Sequence, residues 1–67
     1  MARKLIQMLR VEKGWSKAAL ARKAEIQQGV VGWIESGRYI PYDSQLRKLA
    51  EALDWQDDPL DLLKEVD

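Results

Sequence analysis

The sequence predicts an all-α domain of five short helices, on three observations. Apolar residues recur at three- and four-residue spacing, Ser, Asp, Gly and Pro stand where helices begin and end, and no stretch alternates apolar with polar as a half-buried strand does. The first helix is expected over Arg3 to Lys13, which contains Leu5, Ile6, Met8 and Leu9 and neither Gly nor Pro; Gly14 closes it. Ser16 is a good N-cap for a second helix over Lys17 to Ala24, whose inward side is Leu20, Ala21 and Ala24. Small Ala side chains there let another helix approach closely. The apolar pattern resumes at once with Ile26, Val30, Val31 and Ile34, so the third helix follows after a short turn, crosses the second steeply and ends at Ser36-Gly37. After a loop containing Pro41, Asp43 is expected to cap a fourth helix carrying Leu46, Leu49, Ala50 and Leu53. Asp58 as N-cap, Pro59 at the first helical position and Asp61 in the first turn predict a fifth helix over about 58–66, with Leu60, Leu63 and Val66 on one side.

Sixty-seven residues make one domain, small enough that its core is modest. There is no Cys and no His, so neither a disulfide, a thiolate metal site nor a His-based zinc site is expected, and no cofactor. The same absence removes the commonest general base and the thiol nucleophile, and no Gly-rich phosphate loop follows a strand. The acidic cluster Asp54, Asp57, Asp58 and Asp61 surrounds a helix start, where carboxylates complement the dipole. An enzyme is therefore not expected. Apolar runs such as Ala18 to Ala21 fall far short of the roughly 20 residues that span a bilayer, and Arg3 and Lys4 are not followed by the apolar stretch of a signal peptide. The expected location is cytoplasmic. Net charge is zero but unevenly laid out. Residues 1–40 carry eight basic groups (Arg3, Lys4, Arg10, Lys13, Lys17, Arg22, Lys23, Arg38) against three acidic ones (Glu12, Glu25, Glu35), and residues 41–67 carry three against eight. Such a split gives one face suited to a polyanion and another turned from it, unless the charges simply scatter over the surface.

The stretch from Leu9 to Leu53 carries Leu9-Arg10, Gly14, Ser16, Leu20-Ala21, Ala24, Ile26, Val31, Ile34-Glu35, Gly37, Pro41, Leu46, Leu49-Ala50 and Leu53. In these residues and their spacing it closely resembles the Cro and phage-repressor helix-turn-helix family, often called XRE-like. The resemblance implies a compact lambda-repressor-like DNA-binding domain spanning 1–67, with its core motif at 9–53 and the helix-turn-helix at helices 2 and 3. The second helix then lies across the phosphate backbone while the third enters the major groove.

Independently of that resemblance, the third helix has an outward face of Gln28, Gly29, Gly32 and Trp33, opposite Val31 and Ile34. Gln28, near its start, has the amide that pairs bidentately with adenine. Gln27 stands where the family usually has Ser and caps less well, which frees it to reach a base or a phosphate. Gly29 and Gly32 each cost about 1 kcal/mol against Ala in a helix; close approach to DNA and simple tolerance are both open as reasons. Trp33 replaces a residue commonly polar or basic in the family and is expected on the surface, against DNA or a partner protein. Lys17 replaces a phosphate-bonding Gln of the family, and Arg22, Lys23, Arg38 and Tyr39 are further phosphate candidates. The resemblance implies a structural salt bridge between Arg10 and Glu35. It also implies self-association through the last helix, with Leu60, Leu63, Val66 and Trp55 as the interface; closure of the monomer core by the same residues is the alternative. The function expected is sequence-specific double-stranded DNA binding by a transcriptional regulator, a repressor acting as a homodimer. The alternative is an antitoxin or interaction module whose helices bind a partner protein.

Overall fold

A computed structural model describes residues 3–66. Four α-helices, α1 (Leu5–Glu12), α2 (Lys17–Ala24), α3 (Gln28–Ser36) and α4 (Asp43–Ala52), are followed by a single 3-10 turn of helix at Pro59–Leu63. Two short strands, β1 (Arg3–Lys4) and β2 (Glu65–Val66), pair antiparallel, with Arg3 opposite Val66 and Lys4 opposite Glu65. The expectations of five α-helices and of no strand are both corrected here. Residues 3 and 4 join the ribbon rather than α1, and strands of two residues are too short to show a period.

All four helices stop by the same device. The residue after the last turn, or one beyond it, adopts the left-handed conformation: Gly14 (φ 74°), Glu25 (58°), Gly37 (81°) and Asp54 (58°). Its N–H and the next one fold back onto the last carbonyls. At α3, Gly37 donates to Ile34 at 3.1 Å and Arg38 donates to Trp33 at 2.9 Å; at α2, Glu25 donates to Arg22 and Ile26 to Ala21. These are the paired bonds of a Schellman ending, which satisfies carbonyls that a helix leaves open. At the other end, Ser16 Oγ accepts from the Ala19 N–H at 3.0 Å and starts α2 where the sequence places it. Asp43, expected as the cap of α4, is instead its first helical residue. Tyr42 precedes it, and its backbone N–H donates to Gln45 Oε1 at 3.0 Å, a bond that reaches back from the first turn.

The core draws on every helical element: Ile6, Leu20, Val31, Ile34, Leu49 and Leu62 are completely buried. The tail corrects the predicted fifth helix in detail. Asp58 caps the 3-10 turn, its carboxylate accepting from the Leu60 N–H at 3.0 Å, and Leu62 is the side chain that enters the core. Trp55, Leu63 and Val66 pack against that core, while Leu60 stays exposed. The ribbon then ties the two ends together, the Leu5 N–H donating to the Lys64 carbonyl at 2.8 Å and Lys4 Nζ to that of Leu63 at 3.2 Å.

Candidate nucleic-acid interface

The short turn at Glu25 and Ile26 sets α3 against α2, and burial of Val31 and Ile34 fixes which side of α3 faces out. Residues four apart lie one above the other on a helix, so Gln28 stands over Gly32 and Gly29 over Trp33. Gln27 is the N-cap of α3, exposed, with no hydrogen bond from its side chain to the helix. Gln28 and Gly29 are exposed, Gly32 is partly covered, and Trp33 is 53% exposed. The result is a helix face without a formal charge, carrying two amides at its start and one large aromatic a turn later.

The glycines differ. A methyl group built on Gly29 meets no protein atom within 4 Å, so nothing inside the molecule requires glycine there. On Gly32 it comes to 3.8 Å from Lys17 Cδ and 4.0 Å from its Nζ. Lys17, the first residue of α2, therefore lays its stem across Gly32 and carries its ammonium to the edge of the α3 face. Gln7 of α1 shares that shallow hollow with Lys17, Gly32, Glu35 and Ser36. It went unnoticed in the sequence because nothing in the spacing of α1 marks its polar side.

Glu35 would repel a polyanion if its carboxylate were free. Arg10 holds it from both sides, Nε to Oε2 at 2.7 Å and Nη2 to Oε1 at 3.1 Å, while Nη1 donates to the Trp15 carbonyl at 2.8 Å. Both side chains are nearly buried, 11% and 5% exposed. The fork-on-fork geometry neutralises the acid and braces α1 against the last turn of α3.

The candidate phosphate residues do not share one place. Lys17 lies beside α3 and Arg38 is exposed directly after it. Tyr39 is half-buried, and its hydroxyl proton is committed to Gln45 Oε1 at 2.8 Å, so a phosphate would have to displace that bond. Arg22 is exposed on the outer side of α2. Lys23 follows Lys17 by six residues, about 240° round the helix, and its ammonium sits over the Trp15 ring, away from Gly32. Ile40 and Tyr42, 80% and 72% exposed, were not singled out in the sequence. They flank the buried Pro41, and the sequence has no apolar–polar alternation there that would mark them as outward-facing.

A bundle whose second and third helices meet at a tight turn, with the third offering an uncovered face, has the form of a DNA-binding unit. A family model described as a helix-turn-helix domain matches residues 3–63, and the chain belongs to that family, in keeping with its Cro-like sequence pattern. No curated protein and no solved structure matches the chain. The family is a DNA-binding fold, and no helix of the described residues is long and apolar enough to cross a membrane.

Proposed function

We propose that the protein binds double-stranded DNA sequence-specifically and represses transcription as a homodimer, with α3 in the major groove. The observation that carries this is the outward face of α3. Gln27, Gln28, Gly29 and Trp33 are uncovered there, the Glu35 carboxylate is neutralised by Arg10, and the Lys17 ammonium lies alongside. In this reading Gln28 reads adenine, Trp33 covers a thymine methyl, and Lys17, Arg38 and the N-terminus of α2 hold phosphates. In this reading two copies each place one α3 in successive turns of the major groove, roughly 34 Å apart, a distance that one fold of 28 Å longest extent does not span alone. Of the residues expected at the dimer interface only Leu60 is left exposed to support pairing, since Trp55, Leu63 and Val66 pack against the monomer core.

Selection of bound sites from random duplex DNA tests all of this at once. The expected product is a near-palindrome with half-sites about 10 bp apart. A single half-site would remove the dimer, and no enriched sequence would remove base reading. The exposure of Trp33 also favours a second reading, in which α3 docks on a partner protein as an antitoxin does. In that case duplex DNA leaves the Trp33 indole N–H signal in the nitrogen–proton correlation spectrum unmoved at low salt.

A further inference from the structure

Trp15 stands in the turn between α1 and α2, partly buried and packed against the core. Two ammonium groups sit over its ring: Lys13 Nζ, 5.3 Å from the ring centroid, and Lys23 Nζ, 4.8 Å from it. Both lysines are exposed. Among the described residues neither has a carboxylate within 4.0 Å, although Glu12 adjoins Lys13 in the chain. Val11, 48% exposed, lies one turn back on α1. The ring's electron-rich face attracts each ammonium, but two like charges gathered on one indole still lack a counter-ion. What the corner lacks is an anion.

The corner is not part of the α3 surface. Lys17 is the lysine of α2 that touches α3, and Lys23 points elsewhere, lining a hollow with Lys48 and Glu51 of α4. The partly exposed Trp15 ring also discriminates between anions: a phosphate group has no apolar surface to lay against it, whereas a peptide alternating carboxylates with apolar side chains matches both the ring and the ammonium groups. Glu25 and Glu51 line the hollow that Lys23 shares with α4 and repel carboxylates, so such a segment runs from Lys23 over Trp15 towards Lys13. We propose that Lys13, Trp15 and Lys23 form a docking surface for an acidic, amphipathic segment of a partner protein, separate from the DNA-reading face. The inference does not rest on DNA binding.

The chain has three tryptophans, so three indole N–H signals report three places in one nitrogen–proton correlation spectrum. Trp15 marks the proposed surface, Trp33 the α3 face, and Trp55, whose Nε1 donates to the Asp58 carbonyl at 3.0 Å, serves as a control. The probe is a synthetic peptide of alternating Glu and Leu, beside a Gln and Leu peptide of equal length. The acidic peptide is expected to shift the Trp15 signal saturably while Trp33 and Trp55 stay in place. Binding should weaken at least tenfold in Lys13→Gln/Lys23→Gln, a surface pair whose loss leaves the rest of the spectrum intact. An unmoved Trp15, or an equal shift with the neutral peptide, overturns the proposal. So does random duplex DNA that shifts Trp15 and displaces the peptide, which makes the corner a phosphate surface. A Trp15 shift that grows with protein concentration alone assigns the corner to a second copy and overturns it equally.

Discussion

Arg10 makes three hydrogen bonds from a site 9% exposed, two to Glu35 and one to the Trp15 carbonyl. Removing only the cation leaves a carboxylate that is desolvated and unpaired, the costly half of a buried ion pair. Arg10→Met should lower the unfolding free energy by about 3–5 kcal/mol in urea titrations, and Arg10→Met/Glu35→Leu by far less. Equal losses would mean that the unpaired Glu35 carboxylate carries no burial penalty. Gly29 makes the opposite kind of test. With no protein atom near its missing methyl, Gly29→Ala should stabilise the helix by about 1 kcal/mol in the same titration. Affinity for a selected duplex should fall if DNA occupies that space, and unchanged affinity would show that the backbone is not approached there. Gln28→Ala on the same duplex should cost about 1–3 kcal/mol and relax preference at one base pair, whereas a uniform loss over all sequences would rule out base reading. These residues were legible in the sequence because period and capping fix which side of α3 faces outward. Tyr39 was not, since the bond that ties it to Gln45 depends on a fold of the loop that no local pattern encodes.

At the scale of elements, the four helix ends separate what a sequence announces from what it conceals. Gly14 and Gly37 mark the ends of α1 and α3 because glycine takes positive φ freely. Glu25 and Asp54 do the same work without that signal, held there by the packing of the elements they connect. A left-handed residue with a Cβ is strained by about 1 kcal/mol, so Glu25→Gly should raise the melting temperature by several degrees. A fall would show that the Glu25 side chain contributes more than its backbone strain costs. The tail departs from the expected helix for a related reason. Leu60, Leu63 and Val66 share a side only if the segment stays helical, but it leaves the 3-10 turn at Lys64 (φ −75°, ψ 146°) and becomes a strand. Leu62, which that pattern passes over, is the buried residue. Leu62→Ala should therefore destabilise by about 2–5 kcal/mol and Leu60→Ala by less than about 0.5, measured by thermal unfolding. Similar losses would contradict this placement of the tail.

For the whole molecule, zero net charge conceals a strong asymmetry, and affinity for a polyanion depends on where charges lie more than on their sum. Two phosphate contacts per copy, from Lys17 and Arg38, give about four in a dimer. The logarithm of the association constant should then fall with that of salt concentration at a slope of about −3.6. A flat titration by fluorescence anisotropy would reject the polyanion model for this face. The overall helical architecture was readable from the chain because each helix has its own local period and stops. The ribbon was not, because it depends on residues at opposite ends: Lys4 and the Leu63 carbonyl that it reaches are separated by 59 positions. A contact of that span closes the largest loop in the molecule and gains only a few bonds for the chain freedom it removes. Its formation is therefore timed by the rest of the protein, since the bundle must first bring the ends together. The ribbon is therefore expected to open first, a clasp whose Leu5 amide proton, donated to the Lys64 carbonyl, should exchange with solvent while those of α2 and α3 are still protected.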